Sequence, residues 1–130
     1  LWAAGQRRWA LSGVVSLGGV CDLGRASALR LGAGAADALL GGSQEEVGER
    51  FAQADPVRLV PTGVRTHLLH GIDDAEVPVE LSRRYAAAAR AHGDQVRLVE
   101  LESTGHYELI DPASEAWPHV LEAISGLASS

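Results

Sequence analysis

The sequence has no methionine and no lysine, only one cysteine, and aromatic residues make up 5% of its length. A lone cysteine, Cys21, excludes an internal disulfide framework, and no cysteine and histidine spacing matches a structural zinc site. With lysine missing, all 11 basic residues are arginines, and the formal net charge is -6. No basic cluster exceeds the pairs Arg7-Arg8 and Arg83-Arg84, so the electrostatic footprint of a nucleic-acid binder is absent and nucleic acid is not an expected partner. No run approaches the roughly 18 consecutive apolar residues that cross a bilayer, and the N-terminus lacks the charged, apolar, small-residue order of a signal peptide. These absences predict a cytoplasmic protein with no membrane partner. The missing initiator, together with an opening "LWAAGQRRWA" that reads as helix with no capping residue before it, predicts that the chain is part of a longer polypeptide.

What is present suffices for one core. At 130 residues, 46% of them hydrophobic, residues 1–130 read as a single partial domain. Leu1 to about Trp9 has helical character, with Trp2 and Trp9 expected in a core or groove. Gly13 leads into "VVSL", residues 14–17, an apolar run rich in β-branched side chains and hence a buried strand. From Gly18 to Gly42 glycines alternate with short apolar pieces, an excursion in which residues 35–40 form a short helix. Ser43 and Glu46 have the spacing of a capping box. They predict a helix through "QEEVGERFAQA", with Val47 and Phe51 on one face, ending before Asp55-Pro56. "VRTHLLHG", residues 64–71, has strand character. Val79 to about His92 is the clearest helix, with Glu80 and Arg84 spaced for an i,i+4 pair and Gly93 as its stop. "QVRLVELE", residues 95–102, is a third strand, and residues 114–127 form a last helix that tolerates Pro118 in its first turn.

Strands separated by helices imply a parallel sheet covered on both faces. The expected fold class is therefore α/β, with about three parallel strands flanked by helices. In an open α/β sheet the functional groups lie outside the carboxyl ends of the strands, which directs attention to residues 18–22, 71–78 and 103–111.

"HGIDDAEVP" follows the second strand and "STGHYEL" follows the third, so an acidic pair and a histidine fall on consecutive loops at one edge of the sheet. Adjacent strands lie about 4.8 Å apart, within range for a carboxylate to bond an imidazole. A buried Asp that accepts from one ring nitrogen fixes the tautomer and leaves the other nitrogen to take a proton from a hydroxyl. "LLHGIDDAEVP" followed by "STGHYELIDP" resembles the end of an α/β-hydrolase domain, most closely that of the esterase, lipase and prolyl-oligopeptidase-like group. In that group His-Gly-x-x-Asp-x-x-Val-Pro carries the triad acid and a Gly-His pair carries the base. His70, Gly71, Asp74, Val77 and Pro78 match, so the resemblance implies that Asp74 rather than Asp73 is the acid and His106 the base. It implies a serine hydrolase acting on a small-molecule ester, amide or peptide substrate, with neither metal nor cofactor. "LWAAGQRR" resembles the helix after the nucleophile elbow and "VVSLGGVCDL" the next strand. "FAQADPVRLV" is similar to the segment leading into the acid strand, although Asp55 stands where a serine is common.

The sequence departs from that pattern in one large respect, because it contains no Gly-x-Ser-x-Gly. Ser43 has Gly41 two places before it but Glu45 two places after. The serine is therefore expected upstream of Leu1, together with the oxyanion-hole donors, and these 130 residues alone are expected to be inactive. Two alternatives stay open: a non-catalytic binding domain that uses the strand-end loops as a rim, and a prolyl-oligopeptidase-type peptidase. Other readings are weaker. His67 and His70 are three apart in a strand and point to opposite faces, against a shared metal; His70 is expected to shape the loop presenting Asp74, and His119 to lie on a helix surface. Cys21 beside Asp22 reads as a small buried residue rather than an activated thiolate. "GAGAAD" lacks the third glycine of a dinucleotide-binding loop.

Overall fold

The structure, a computed structural model, describes residues 1–129. Three strands, β1 (Val14–Leu17), β2 (Thr66–Gly71) and β3 (Val96–Leu101), form one parallel sheet in the order β1-β2-β3. The helices are α1 (Trp2–Gly5), α2 (Leu23–Ala28), α3 (Leu31–Leu40), α4 (Gly48–Ala54), α5 (Glu80–Ala91) and α6 (Trp117–Ala128), with 3-10 turns at Pro56–Arg58 and Tyr107–Ile110. This is the α/β arrangement expected from the alternation of strand and helix patterns.

Alternation along the strands sends side chains to opposite faces, and the register aligns them across the sheet. Leu17 lies beside Leu69 and Leu69 beside Val99; this row packs with Leu101, Leu109, Val120 and Ala123 under α6. On the other face Leu68 joins Leu98, Cys21, Tyr85 and Ala89 under α5. Leu81, Tyr85 and Ala89 recur every fourth residue of α5, giving that helix one continuous buried stripe. A third cluster, Phe51 with Ala26, Ala36, Val77 and Leu81, ties the excursion after β1 to the start of α5.

Several local expectations are corrected. The first helix stops at Gly5, not Trp9, because Arg7 turns left-handed (φ 54°) and its guanidinium donates to the Pro61 carbonyl. Trp2 and Trp9 are consequently half exposed rather than in a core. The excursion contains a helix that went unread, α2, whose N-terminus is capped by Asp22 accepting from the Arg25 amide at 2.8 Å. By contrast, the short helix expected over residues 35–40 is present: it is the regular part of α3, which begins after the left-handed Gly32, Ala33 and Gly34. The Glu46 amide donates to the Ser43 hydroxyl, which itself donates to the Glu46 carboxylate, so only one bond of a capping box forms; the pair closes a turn, and α4 starts later at Gly48. Glu80 and Arg84 do not bond each other: Arg25 takes Glu80 at 2.9 Å, and Arg84 takes the buried Asp22 at 2.7 Å. A carboxylate removed from water gains more from an arginine than an exposed one does.

Leu69 is fully buried at the centre of the sheet, and Leu69→Ala is expected to lower the free energy of unfolding by about 2–5 kcal/mol in urea titrations. Among the described residues β1 pairs only with β2. Its open edge predicts self-association of the 130-residue chain expressed alone, visible as a concentration-dependent shift in sedimentation velocity.

Candidate active site

The carboxyl ends of the three strands converge on one point. The amide of Gly18, just past β1, donates to Leu69 O at 2.9 Å, and that of Ile72, just past β2, donates to Leu101 O at 2.9 Å. The Asp73 amide donates to Thr104 O at 3.0 Å. A Cβ on Gly71 would collide with the carbonyl oxygens of Thr104 and Gly105, so the loops after β2 and β3 come this close only because residue 71 has no side chain.

Within this junction Asp74 and His106 meet. Nδ1 of His106 donates to Oδ2 of Asp74 at 2.7 Å. The other carboxylate oxygen accepts from the amides of Glu76 at 2.9 Å and Val77 at 2.8 Å. The Asp74 side chain is wholly buried while that of His106 is 28% exposed, which leaves one face of the imidazole open. Burial pushes the Asp74 carboxyl up, but the amides of Val77 and Glu76 and the His106 imidazole outweigh it and hold the carboxyl below its ordinary value. Asp73, the neighbouring candidate, is exposed.

His70 braces the same carboxylate from beneath. It is fully buried, with Nε2 2.8 Å from Val77 O and 3.3 Å from Asp74 Oδ2, and Nδ1 2.6 Å from the Ser82 hydroxyl on α5. Both neighbours of Nε2 can only accept, so that nitrogen carries a proton. His70 thus ties α5 to the Asp74 loop, the loop-shaping part expected of it. His67 lies across the sheet near Arg97, His119 and Glu122, so the two histidines face apart. His119 is exposed on α6.

Gly18, the first residue of the strand-end stretch 18–22, takes part although the sequence assigns it no role of its own. It is left-handed (φ 57°), and a Cβ there would lie 3.0 Å from Nδ1 of His106 and 3.2 Å from Oδ2 of Asp74. The available signal was a glycine directly after a strand at the carboxyl edge.

Two further groups take no part. Cys21 is fully buried against Leu68 and Tyr85, and burial pushes its thiol up, away from thiolate chemistry. A cleft of about 550 Å³ lined by Asp22, Arg25, Asp55 and Arg84 does not reach His106, and Asp22 and Asp55 there already accept bonds from α2. Among the described residues no three His, Cys, Asp or Glu side chains are grouped to hold a metal ion, and no helix is long and apolar enough to cross a membrane.

Comparison with solved structures places the chain in the α/β-hydrolase fold. No protein-family model matches the chain, and no curated protein matches it. Puromycin hydrolase is 25% identical over 81% of this chain and 17% of its own length, with a TM-score of 0.65. Esterase 2 of Thermogutta terrifontis, phosphoramylated by tabun, is 23% identical over 85% of this chain and 38% of its own, with a TM-score of 0.60. The butyrate-bound form of that esterase gives 24% identity, coverage of 66% and 34%, and a TM-score of 0.54. The chain therefore spans well under half the length of the structures it resembles.

Because the folded state lowers the pKa of Asp74, the ionised carboxylate favours folding. This contribution is fully present above the unfolded value of about 4 and is lost as pH falls through the lower folded value. Urea denaturation from pH 7 to pH 3 should show an acid-side loss of stability that is smaller in Asp74→Asn. Gly18→Ala should cost at least about 1–2 kcal/mol for the left-handed backbone and should also perturb the His106 ring resonances in NMR spectra.

Proposed function

We propose that residues 1–130 carry the acid and base of a serine hydrolase that cleaves ester, amide or peptide bonds, with Asp74 as acid, His106 as base and a serine N-terminal to Leu1 as nucleophile. The observation that carries this reading is the 2.7 Å bond between Nδ1 of His106 and the wholly buried carboxylate of Asp74 at the carboxyl edge of the sheet. The likeness to an esterase and to puromycin hydrolase supports it.

With Nδ1–H held by Asp74, Nε2 of His106 is free to accept the serine proton as the serine oxygen bonds to the substrate carbonyl carbon. The imidazolium, stabilised by Asp74, gives that proton to the departing oxygen or nitrogen as its bond to the carbonyl carbon breaks. Water then adds to the acyl-serine, losing a proton to His106, and the proton returns to the serine as the acid product leaves. The carboxylate does not itself become protonated; it orients the ring and offsets its charge.

The polypeptide extended with its preceding genomic residues through a Gly-x-Ser-x-Gly should hydrolyse p-nitrophenyl esters, and the 130 residues alone should not. In the extended protein His106→Ala should lower kcat by about 10⁶-fold and Asp74→Asn by about 10⁴-fold, while Asp73→Asn retains activity. Full activity in either of the first two variants refutes the assignment; glycine or alanine at the elbow position would favour a binding domain instead.

A further inference from the structure

A cleft of about 380 Å³ opens beside His106, within the range of about 300–1,000 Å³ usual for small-molecule sites. Its walls come from the excursion after β1. Val20 precedes α2, Leu31, Ala35 and Leu39 belong to α3, and Glu76 closes the cleft from the Asp74 loop. The left-handed Gly32, Ala33 and Gly34 turn the chain at the start of α3, and the small side chains that follow leave the space unfilled.

Two features specify what fits there. Apart from His106 and Glu76 the lining is aliphatic or glycine, and Leu39 stands 76% exposed with Val20 at 40%, leaving apolar surface without a neighbour among the described residues. Glu76 is the only acidic residue of the lining, which holds no arginine. Its amide bonds Asp74 Oδ1, but its carboxylate has no hydrogen bond or ion pair among the described residues. Glu76 is exposed at the rim of the cleft, and an unpaired carboxylate there favours a cation and repels an anion.

We propose that this cleft receives the leaving group of the substrate and selects an aliphatic chain that ends in a positive charge. The inference rests on the hydrolase reading, since His106 hands its proton to the departing atom and the cleft walled by His106 therefore lies on that side of the scissile bond. The aliphatic segment covers Leu39 and Val20, and the cationic end stands against Glu76.

The test uses the complete polypeptide to which these residues belong and three acetate esters matched in length: those of 1-hexanol, of 6-(trimethylammonio)hexan-1-ol and of 6-hydroxyhexanoate. Acetate release should give kcat/KM in the order cationic, neutral, anionic, with a ratio of about tenfold between the extremes, the product of two exposed charge effects of a few-fold each. Glu76→Gln should collapse that ratio toward one. Leu39→Ala, at an exposed position where folding is not at stake, should reduce the advantage of hexyl over methyl acetate about threefold. Equal rates for the three esters, or an unchanged ratio in Glu76→Gln, overturn the proposal and leave the hydrolase reading standing. If none of the esters is cleaved, methyl NMR spectra decide: shifts at Leu39 and Ala35 with 6-(trimethylammonio)hexan-1-ol, weakened in Glu76→Gln, uphold the cleft while the hydrolase reading falls, and no shift overturns it.

Discussion

The buried carboxylate of Asp74 is the constraint around which the functional end of the molecule is built. Removing a charge from water costs several kcal/mol unless hydrogen bonds replace the lost hydration, and here two amides, one open imidazole and one buried imidazole surround the two oxygens. Each donor comes from a place that must be held still. The amides belong to the tight turn after β2, His106 to the loop after β3, and His70 to β2 itself, braced by Ser82 of α5. Satisfying one side chain therefore locks two loops, a strand and a helix into one geometry.

That geometry depends in turn on the sheet being parallel and in register. Gly71 stands beside Leu101, so β2 and β3 end level, and Leu17 ends β1 two residues earlier beside Leu69; their loops open at the same edge. Glycine at 18 and 71 lets backbone and side chains approach where any Cβ would intrude. The same edge carries the cleft, so the groups expected to move protons and the groups expected to hold a substrate share one supporting frame.

Much of this was legible in the sequence, for reasons that differ by element. β2, β3, α5 and α6 announce themselves through periodic apolar residues and clear stops such as Gly93, and their order alone puts Asp74 and His106 at one edge. α2 was hidden because its six residues include Gly24 and hold no apolar period; only its cap, Asp22, marks it, and that carboxylate read equally well as a loop residue. The Glu80 and Arg84 spacing misled because partners distant in sequence, Arg25 and Asp22, came nearer in space. Arg7 shortened α1 by a left-handed turn that a non-glycine residue does not advertise. In the site, residue types and strand order pointed to an acidic pair and His106, and the family resemblance to Asp74 within that pair, whereas the contacts of Gly18 and of His70 arise from packing and have no pattern of their own.

The excursion between β1 and β2 enters and leaves through a narrow neck. Asp55 accepts from the amides of Leu23 at 2.8 Å and Gly24 at 3.0 Å, and the Val57 amide donates to Cys21 O at 3.0 Å. Some thirty residues, from 23 to 55, are thus clamped at their two ends by a single buried carboxylate and one backbone bond. Closing a loop at its base makes further length cheap, since the entropy cost grows only with the logarithm of the number of residues. Length added above the neck at exposed turns is therefore tolerated, provided that Ala26, Ala36 and Phe51 keep their packing on Val77 and Leu81, which fixes the segment to the Asp74 turn and the start of α5.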